Sequence, residues 1–191
     1  TCMVYERSNE ATGITETHPV KPASPYAASK LSGEALTLSY HYAYGLPTVV
    51  VRPFNTYGPF QKSSGEGGVV AIFIKRDLDG GDLNIYGEGN QTRDLLYVED
   101  CARFVIQAGM DSRANGQILN AGLGRDISIN DLALLVCGDP AKIKHVPHIH
   151  PQSEIQKLLC NYEKAWGLLG WEPQVSLEEG LKRTREWIKN K

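Results

Sequence analysis

The stretch PTVVVRPF, from Pro47 to Phe54, constrains this chain more than any other. Its centre is a short, continuous run of β-branched residues with no polar alternation. Such a run reads as a strand covered on both faces, which is the habit of a parallel sheet. Parallel strands are joined by crossover connections, usually helices lying on the sheet. The rest of the chain is therefore expected to alternate strand and helix.

The flanking sequence does so. TCMVY at the start reads as the end of a buried strand, and a polar loop follows through Ala23. Ser24 suits a helix N-cap and Pro25 its first position. That helix is expected to run to about Tyr44 and to stop at Gly45, with Pro47 beyond. NTYGPFQKSSGEGG reads as a long loop. A helix is expected from about Gly68 to Leu78, ending at Gly80 and Gly81. LNIYG and TRDLLYV read as short strands around the turn GEGNQ. Further helices are expected over Glu99–Ala108, Ile129–Val136, Tyr162–Leu169 and Leu177–Lys189, with QILNAG, IKHV and QKLLC as strands. No internal repeat interrupts the pattern, which predicts an α/β fold.

Composition narrows the class. A net charge of −2 with no block of like charge gives no nucleic-acid or anionic-membrane signature. No apolar run approaches the roughly 18 residues of a membrane span. TCMVYE lacks a basic region followed by an apolar stretch, so no signal peptide is read and a cytoplasmic protein is expected. Cys2, Cys101, Cys137 and Cys160 lie far apart without a CxxC, which fits reduced thiols.

The helix opening SPYAASK raises a chemical question. Tyr26 and Lys30 are four apart and share one helix face. A tyrosine alone is a poor base near neutrality, because its pKa is about 10. A nearby ammonium stabilises the phenolate and lowers that pKa. Such a pair can take a proton from a sugar or alcohol hydroxyl while hydride leaves the same carbon. Spacing alone equally fits an exposed surface pair.

TCMVYE, SPYAASK, VVVRPFNTYGP, LNIYGEGNQTRDLLYVEDCA and LLGWEP occur in that order. Together they resemble the nucleotide-sugar epimerases, dehydratases and decarboxylases of the extended short-chain dehydrogenase/reductase family. The resemblance implies the C-terminal part of a Rossmann-type, doubly wound parallel sheet plus a small mixed α/β substrate-binding lobe. Residues 1–64 are expected to form the catalytic part of an incomplete Rossmann-type domain. Residues 65–191 are expected to form mainly the lobe, interleaved with returning sheet elements. The resemblance makes Tyr26 and Lys30 the catalytic pair, with Thr1 holding the reacting hydroxyl. It implies NAD as cofactor, contacted by Tyr26, Lys30 and Pro53. The family's Gly-rich turn for the NAD pyrophosphate does not precede Tyr26, so the main NAD-binding segment is expected to be missing from this chain and the chain alone to be inactive.

The same comparison assigns a nucleotide-diphosphate sugar to Asn55, Val70, Phe73, Asn84, Tyr86, Arg93 and Glu154. Asn55 matches the residue that contacts the sugar nucleotide. Val70 and Phe73 match positions beside the base, and Asn84 to Tyr86 the strand that reads it. Arg93 matches the diphosphate arginine, a job that suits a planar guanidinium fork; without the family it reads as an ion pair with Asp94 or Glu99. Glu154 matches an acidic residue near the ribose. Where the family often has a second arginine, this chain reads HVPHIHP, which suggests a substrate-facing imidazole. His145, His148 and His150 also raise zinc, but no Cys or acidic partner stands at ligand spacing, so no metal is expected. Trp166, Trp171 and Trp187 are expected to pack in a core.

The residues after Thr1 bear on the reaction. Dehydratases of the family usually carry Asp-Glu there; this chain has Cys2 and Met3. A thioether transfers no proton, and a buried thiol is a poor substitute. The expected reaction is therefore 4-epimerisation through a 4-keto sugar. A 4,6-dehydratase or related dehydratase with unusual acid/base groups is one alternative, and an inactive module for binding or dimerisation is another. The family's helix bundle implies a homodimer, with the helix Pro25–Tyr44 contributing and Ala27, Leu31, Leu38 and Tyr42 near one stripe.

Overall fold

The computed structural model describes residues 1–8, 11–64, 67–148 and 151–191. The expected strand at TCMVY is not formed. Cys2–Val4 is a 3-10 turn in which Thr1 Oγ1 accepts from the Met3 N–H at 3.4 Å. Only Tyr5 pairs, as an isolated antiparallel bridge to Val20. The apolar character of the stretch serves packing instead. Cys2, Val4 and Tyr5 are buried with Ile14, Phe54, Ile155, Leu158 and Cys160.

Helix α1 (Pro25–Tyr44) begins where expected. Ser24 Oγ accepts from the Ala27 N–H at 3.2 Å, and Gly45 ends the helix at φ 67°. Next come β1 (Val50–Pro53), β2 (Asn55–Tyr57), α2 (Val69–Leu78), β3 (Leu83–Tyr86), β4 (Thr92–Tyr97) and α3 (Val98–Met110). β5 (Ile118–Ala121), β6 (Asp126–Ser128), α4 (Ile129–Cys137), β7 (Ile143–Val146), β8 (Lys157–Leu158), α5 (Glu163–Leu169) and α6 (Leu177–Lys189) complete the order.

The strands form small, mainly parallel sheets. β1 pairs in parallel with β5, from Val50 opposite Ile118 to Pro53 opposite Ala121. β2 and β8 each run parallel to β4, while β6 is antiparallel to it. β3 pairs in parallel with β7. β2 and β6 lie in stretches too polar to read as strands. Asn55–Tyr57 resumes pairing after a one-residue gap at Phe54, and Asp126 is held to β4 by a 2.5 Å hydrogen bond from Thr92 Oγ1.

Two further cores flank the one under Thr1. Val70, Phe73, Ile74, Leu83, Ile85 and Leu132 join α2, β3 and α4. Phe104, Leu119, Ala121, Ala165 and Trp171 join α3, β5 and α5. The tryptophans divide. Trp171 is fully buried and donates from Nε1 to the Asp100 carbonyl at 3.2 Å. Trp166 is exposed, because it lies on the outer face of the short α5, and Trp187 is half-buried against Phe60.

One glycine has a clear steric cause. Gly58 follows β2 at φ 145°, and a Cβ there would lie 2.4 Å from Val98 Cγ1. The close approach lets β2 meet the start of α3.

Candidate active site

The N-terminus of α1, strand β1 and Thr1 frame an open cleft of about 660 Å³. Tyr26, Lys30, Glu34 and Pro53 line it together with Thr1. The placement follows from local structure. Ser24 and Pro25 start the helix, so Tyr26 and Lys30 occupy its first two turns on one face. Lys30 Nζ lies 5.5 Å from the centroid of the Tyr26 ring. Both side chains are exposed to the cleft, and no ion pair engages Lys30 among the described residues. Thr1, Tyr26, Lys30 and Pro53 are thus brought together at one cleft.

β1 leads directly from Pro53 to Asn55 at the start of β2. Asn55 Oδ1 is buried and accepts no hydrogen bond among the described residues. A buried amide oxygen without a donor is costly, which marks it as an acceptor open to a ligand N–H or O–H.

A second cluster forms around Arg93. Its Nη1 donates to the carbonyls of Thr92 at 2.7 Å and Ile155 at 2.8 Å, and its Nη2 pairs with the Glu154 carboxylate. Glu154 Oε2 lies 2.7 Å from His148 Nε2. The His148 ring meets Tyr86 edge-on at 6.4 Å. Arg93 and Glu154, read separately from the sequence, are therefore bonded to each other. Neither neighbour expected for Arg93 is its partner. Alternation along β4 sends Asp94 to the opposite face. There its buried carboxylate accepts from the N–H groups of Leu123, Gly124 and Cys160 at 2.6, 2.9 and 3.0 Å. Glu99 pairs with Arg183.

The remaining predicted residues differ in exposure. Asn84 is half-buried and Tyr86 exposed on β3. Val70 and Phe73 are buried in the core between α2 and β3 rather than presented at a surface, because they fall on the inward face of α2. Their part is to set α2 against the strand that carries Asn84 and Tyr86. His145 bonds Asn130 Oδ1 at 2.9 Å, away from Glu154, and His150 lies outside the described residues. No group of three His, Cys, Asp or Glu is placed to hold a metal among the described residues.

Cys2 sits behind Thr1 in the central core. Burial pushes its thiol up to about 12, against the opposing pull of the Arg93 charge. Burial also raises the Cys160 thiol well above its ordinary value. A thiol so held keeps its proton and does not exchange it near neutrality.

Sequence reading missed Glu34, Arg52 and Asp94. The signal was present for Arg52: a charge inside a strand buried on both faces needs a partner. Nothing local pointed to Glu34 as that partner.

Tyr26 and Lys30 thus share one helix face beside a parallel strand and open on one cleft. The chain belongs to the NAD dependent epimerase/dehydratase family, whose model matches residues 1–122. It is similar to the UDP-glucose 4-epimerase of Mycolicibacterium smegmatis, at 37% identity over 179 residues, 93% of this chain and 56% of that protein. It is similar to a dTDP-glucose 4,6-dehydratase of Actinoplanes sp., at 35% identity over 91% of this chain and 54% of that protein. The solved structure of Pal from Bacillus thuringiensis matches with a TM-score of 0.98 and 66% identity, over 100% of this chain and 61% of that one. The chain thus spans little more than half the length of these relatives. They include both 4-epimerases and 4,6-dehydratases of nucleotide sugars.

The thiols give a pH test. Alkylation needs the thiolate, and at pH 9 a thiol held near 12 is ionised in about one molecule in a thousand. Iodoacetamide on the native protein at pH 8–9 should label half-buried Cys137 first and leave Cys2 and Cys160 unlabelled until denaturant is added, read by peptide mass spectrometry. Rapid native labelling of Cys2 would show that its burial is wrong.

Proposed function

We propose that this chain carries the catalytic and substrate-binding residues of an NAD-dependent nucleotide-sugar 4-epimerase. The observation that carries the reading is the cleft shared by Thr1, Tyr26, Lys30 and Pro53 in a chain of this family. The residues following Thr1 support the choice of reaction, because neither the buried Cys2 thiol nor the Met3 thioether is suited to move a proton. Epimerisation at C4 needs no such group.

In this reading Tyr26 takes the C4 hydroxyl proton and later returns it to the ketone oxygen. Lys30 supplies a positive charge beside the Tyr26 ring that favours the phenolate as the proton moves. The Thr1 hydroxyl orients the reacting oxygen. Tyr26, Lys30 and Pro53 fit the nicotinamide-ribose end of NAD, since all three open on one cleft. NAD held there by Tyr26, Lys30 and Pro53 would supply a reversible hydride acceptor for C4. A Gly-rich segment supplying the pyrophosphate site is part of this proposal. The edge of β1 away from β5 suits it, being bordered by Val49, Val50 and Val51 along the cleft.

The substrate contacts follow the second cluster. Arg93 meets the diphosphate with its guanidinium fork, taking phosphate oxygens in place of the Glu154 carboxylate. Glu154, released from Arg93, faces the ribose with His148 beside it. Asn55 offers its free amide oxygen to the sugar nucleotide, and Asn84 and Tyr86 stand for the base.

A dehydratase is the second reading, favoured by the 35% identity to the Actinoplanes enzyme. It needs an acid/base pair other than Cys2 and Met3.

We also propose a homodimer formed through α1. The exposed apolar stripe on this helix is Leu36, Tyr40 and Tyr44, whereas Ala27 turns inward and Leu31 and Leu38 are half-buried. The Tyr40 and Tyr44 rings already lie 5.6 Å apart, tilted by 35°. Light scattering of the full-length protein should give twice the chain mass at micromolar concentration, and Tyr40→Glu with Tyr44→Glu should halve it. A monomer before substitution contradicts this interface.

For the chemistry, Tyr26→Phe in full-length, NAD-loaded protein should lower kcat by at least about a thousandfold, within the range lost with a general acid–base group. Nucleotide-sugar affinity, measured by calorimetry, should stay within a few-fold. Retention of wild-type turnover would remove Tyr26 from the reaction.

A further inference from the structure

Helix α1 carries Tyr26 and Lys30, yet apolar packing holds it weakly: Ala27 is its one buried residue. Its strongest tie to the sheet is polar. Arg52 of β1 donates from Nε to Glu34 Oε2 at 3.0 Å and Oε1 at 3.2 Å, and from Nη2 to Oε2 at 2.6 Å. The two side chains are 3% and 10% exposed.

Arg52 is itself fixed by neighbours. Its guanidinium lies 4.7 Å from the Tyr5 ring centroid. The Tyr5 hydroxyl donates to Oδ1 of fully buried Asn120 at 2.7 Å, and Asn120 Nδ2 donates to the Ile14 carbonyl at 3.0 Å. Glu16 closes the network by accepting from the Asn120 N–H at 2.7 Å.

Glu34 follows Lys30 by four residues, on the same helix face, and lines the same cleft. A lysine and a glutamate at that spacing attract each other when nothing else holds them. Here the carboxylate is turned to Arg52, and Lys30 has no ion-pair partner among the described residues. A buried ion pair is a poor device for stability alone, because desolvation offsets much of the attraction.

We infer that Arg52 is a positioning residue that withholds Glu34 from Lys30, so that the whole ammonium charge is left to Tyr26. The inference rests on the reading of Tyr26 and Lys30 as the proton-transfer pair. The titratable and charged groups grouped here are Tyr26, Lys30 and Glu34 from α1, Cys2 and Tyr5 from the first segment, Arg52 from β1 and Glu16 from the loop against β5. Burial keeps Cys2 and Tyr5 neutral, each pushed up to about 12. Glu16 is engaged by Asn120. Glu34 is therefore the carboxylate among them that shares Lys30's helix face.

Arg52→Gln releases Glu34 and tests the idea. In full-length, NAD-loaded protein the acid limb of kcat/KM against pH should move up by about one pH unit, a roughly tenfold loss at fixed pH on the limb. Glu34→Gln breaks the same pair but leaves no carboxylate, so it should keep the wild-type limb, and the double variant should restore it. A purely structural pair would move the limb in both single variants or in neither. Carbon-13 NMR of ring-labelled tyrosine, with Tyr26 assigned through Tyr26→Phe, should show its resonance titrating about one pH unit higher in Arg52→Gln, without any turnover. If Arg52→Gln does not fold, Arg52→Lys, which keeps a cation but loses the fork, should show the same displacement in smaller measure. A wild-type limb and resonance in a folded Arg52 variant, or equal displacement in Glu34→Gln, overturns the inference. Full activity in Tyr26→Phe would instead remove the catalytic reading, and the NMR displacement would still decide the role of Arg52.

Discussion

β4 belongs to more than one core, and the site depends on that. Leu95 and Tyr97 enter the core built by α2, β3 and α4, while Leu96 enters the one built by α3, β5 and α5. The alternation of a strand makes this possible, since successive side chains leave on opposite faces. Asp94 fixes the crossing by accepting three backbone N–H groups, from the loop after β5 and from the end of β8. Burial raises the pKa of its carboxyl, and those three donors oppose the rise. Loss of that carboxylate would leave three buried donors unmet, each costing about 1–3 kcal/mol. Arg93, the next residue back, pairs with Leu158 of β8 and bonds the Ile155 carbonyl, beside the core beneath Thr1.

Two polar clusters then divide the work. The α1–β1 cleft presents a phenol, an ammonium and a hydroxyl in one open space, with the Arg52–Glu34 pair behind them. The Arg93, Glu154 and His148 cluster holds a guanidinium against a carboxylate and an imidazole. Cys2 stands between them in the core, and the Arg93 charge reaches its sulfur. Burial among Val4, Ile14 and Phe54 nonetheless outweighs that charge and raises the Cys2 thiol.

How far the sequence reaches depends on whether the signal is local. The start and stop of α1 were legible because Ser24, Pro25 and Gly45 act on their own neighbours. The β1 run was legible because a continuous apolar segment has few other uses. TCMVY misled, because burial by packing and burial in a ladder leave the same apolar residues. β2 and β6 were missed because their pairing is set by partners far along the chain and their side chains are polar. The Tyr26–Lys30 pair could be seen as geometry, but its chemistry came through resemblance. The Arg93–Glu154 contact joins residues 61 apart, and the Arg52–Glu34 contact joins a strand to a helix, so neither was accessible to spacing. The burial of Val70 and Phe73, read as lying beside the base, was likewise not visible in spacing.

The central claim is that hydride leaves C4 of a nucleotide sugar and returns to C4, with no proton lost from C5. A nucleotide sugar deuterated at C4 tests it most directly, with the full-length protein and NAD and with the product read by NMR. The account predicts deuterium retained at C4 in both the recovered substrate and the C4-inverted product. Deuterium delivered to C6, in a product that has lost its C6 hydroxyl, would contradict it.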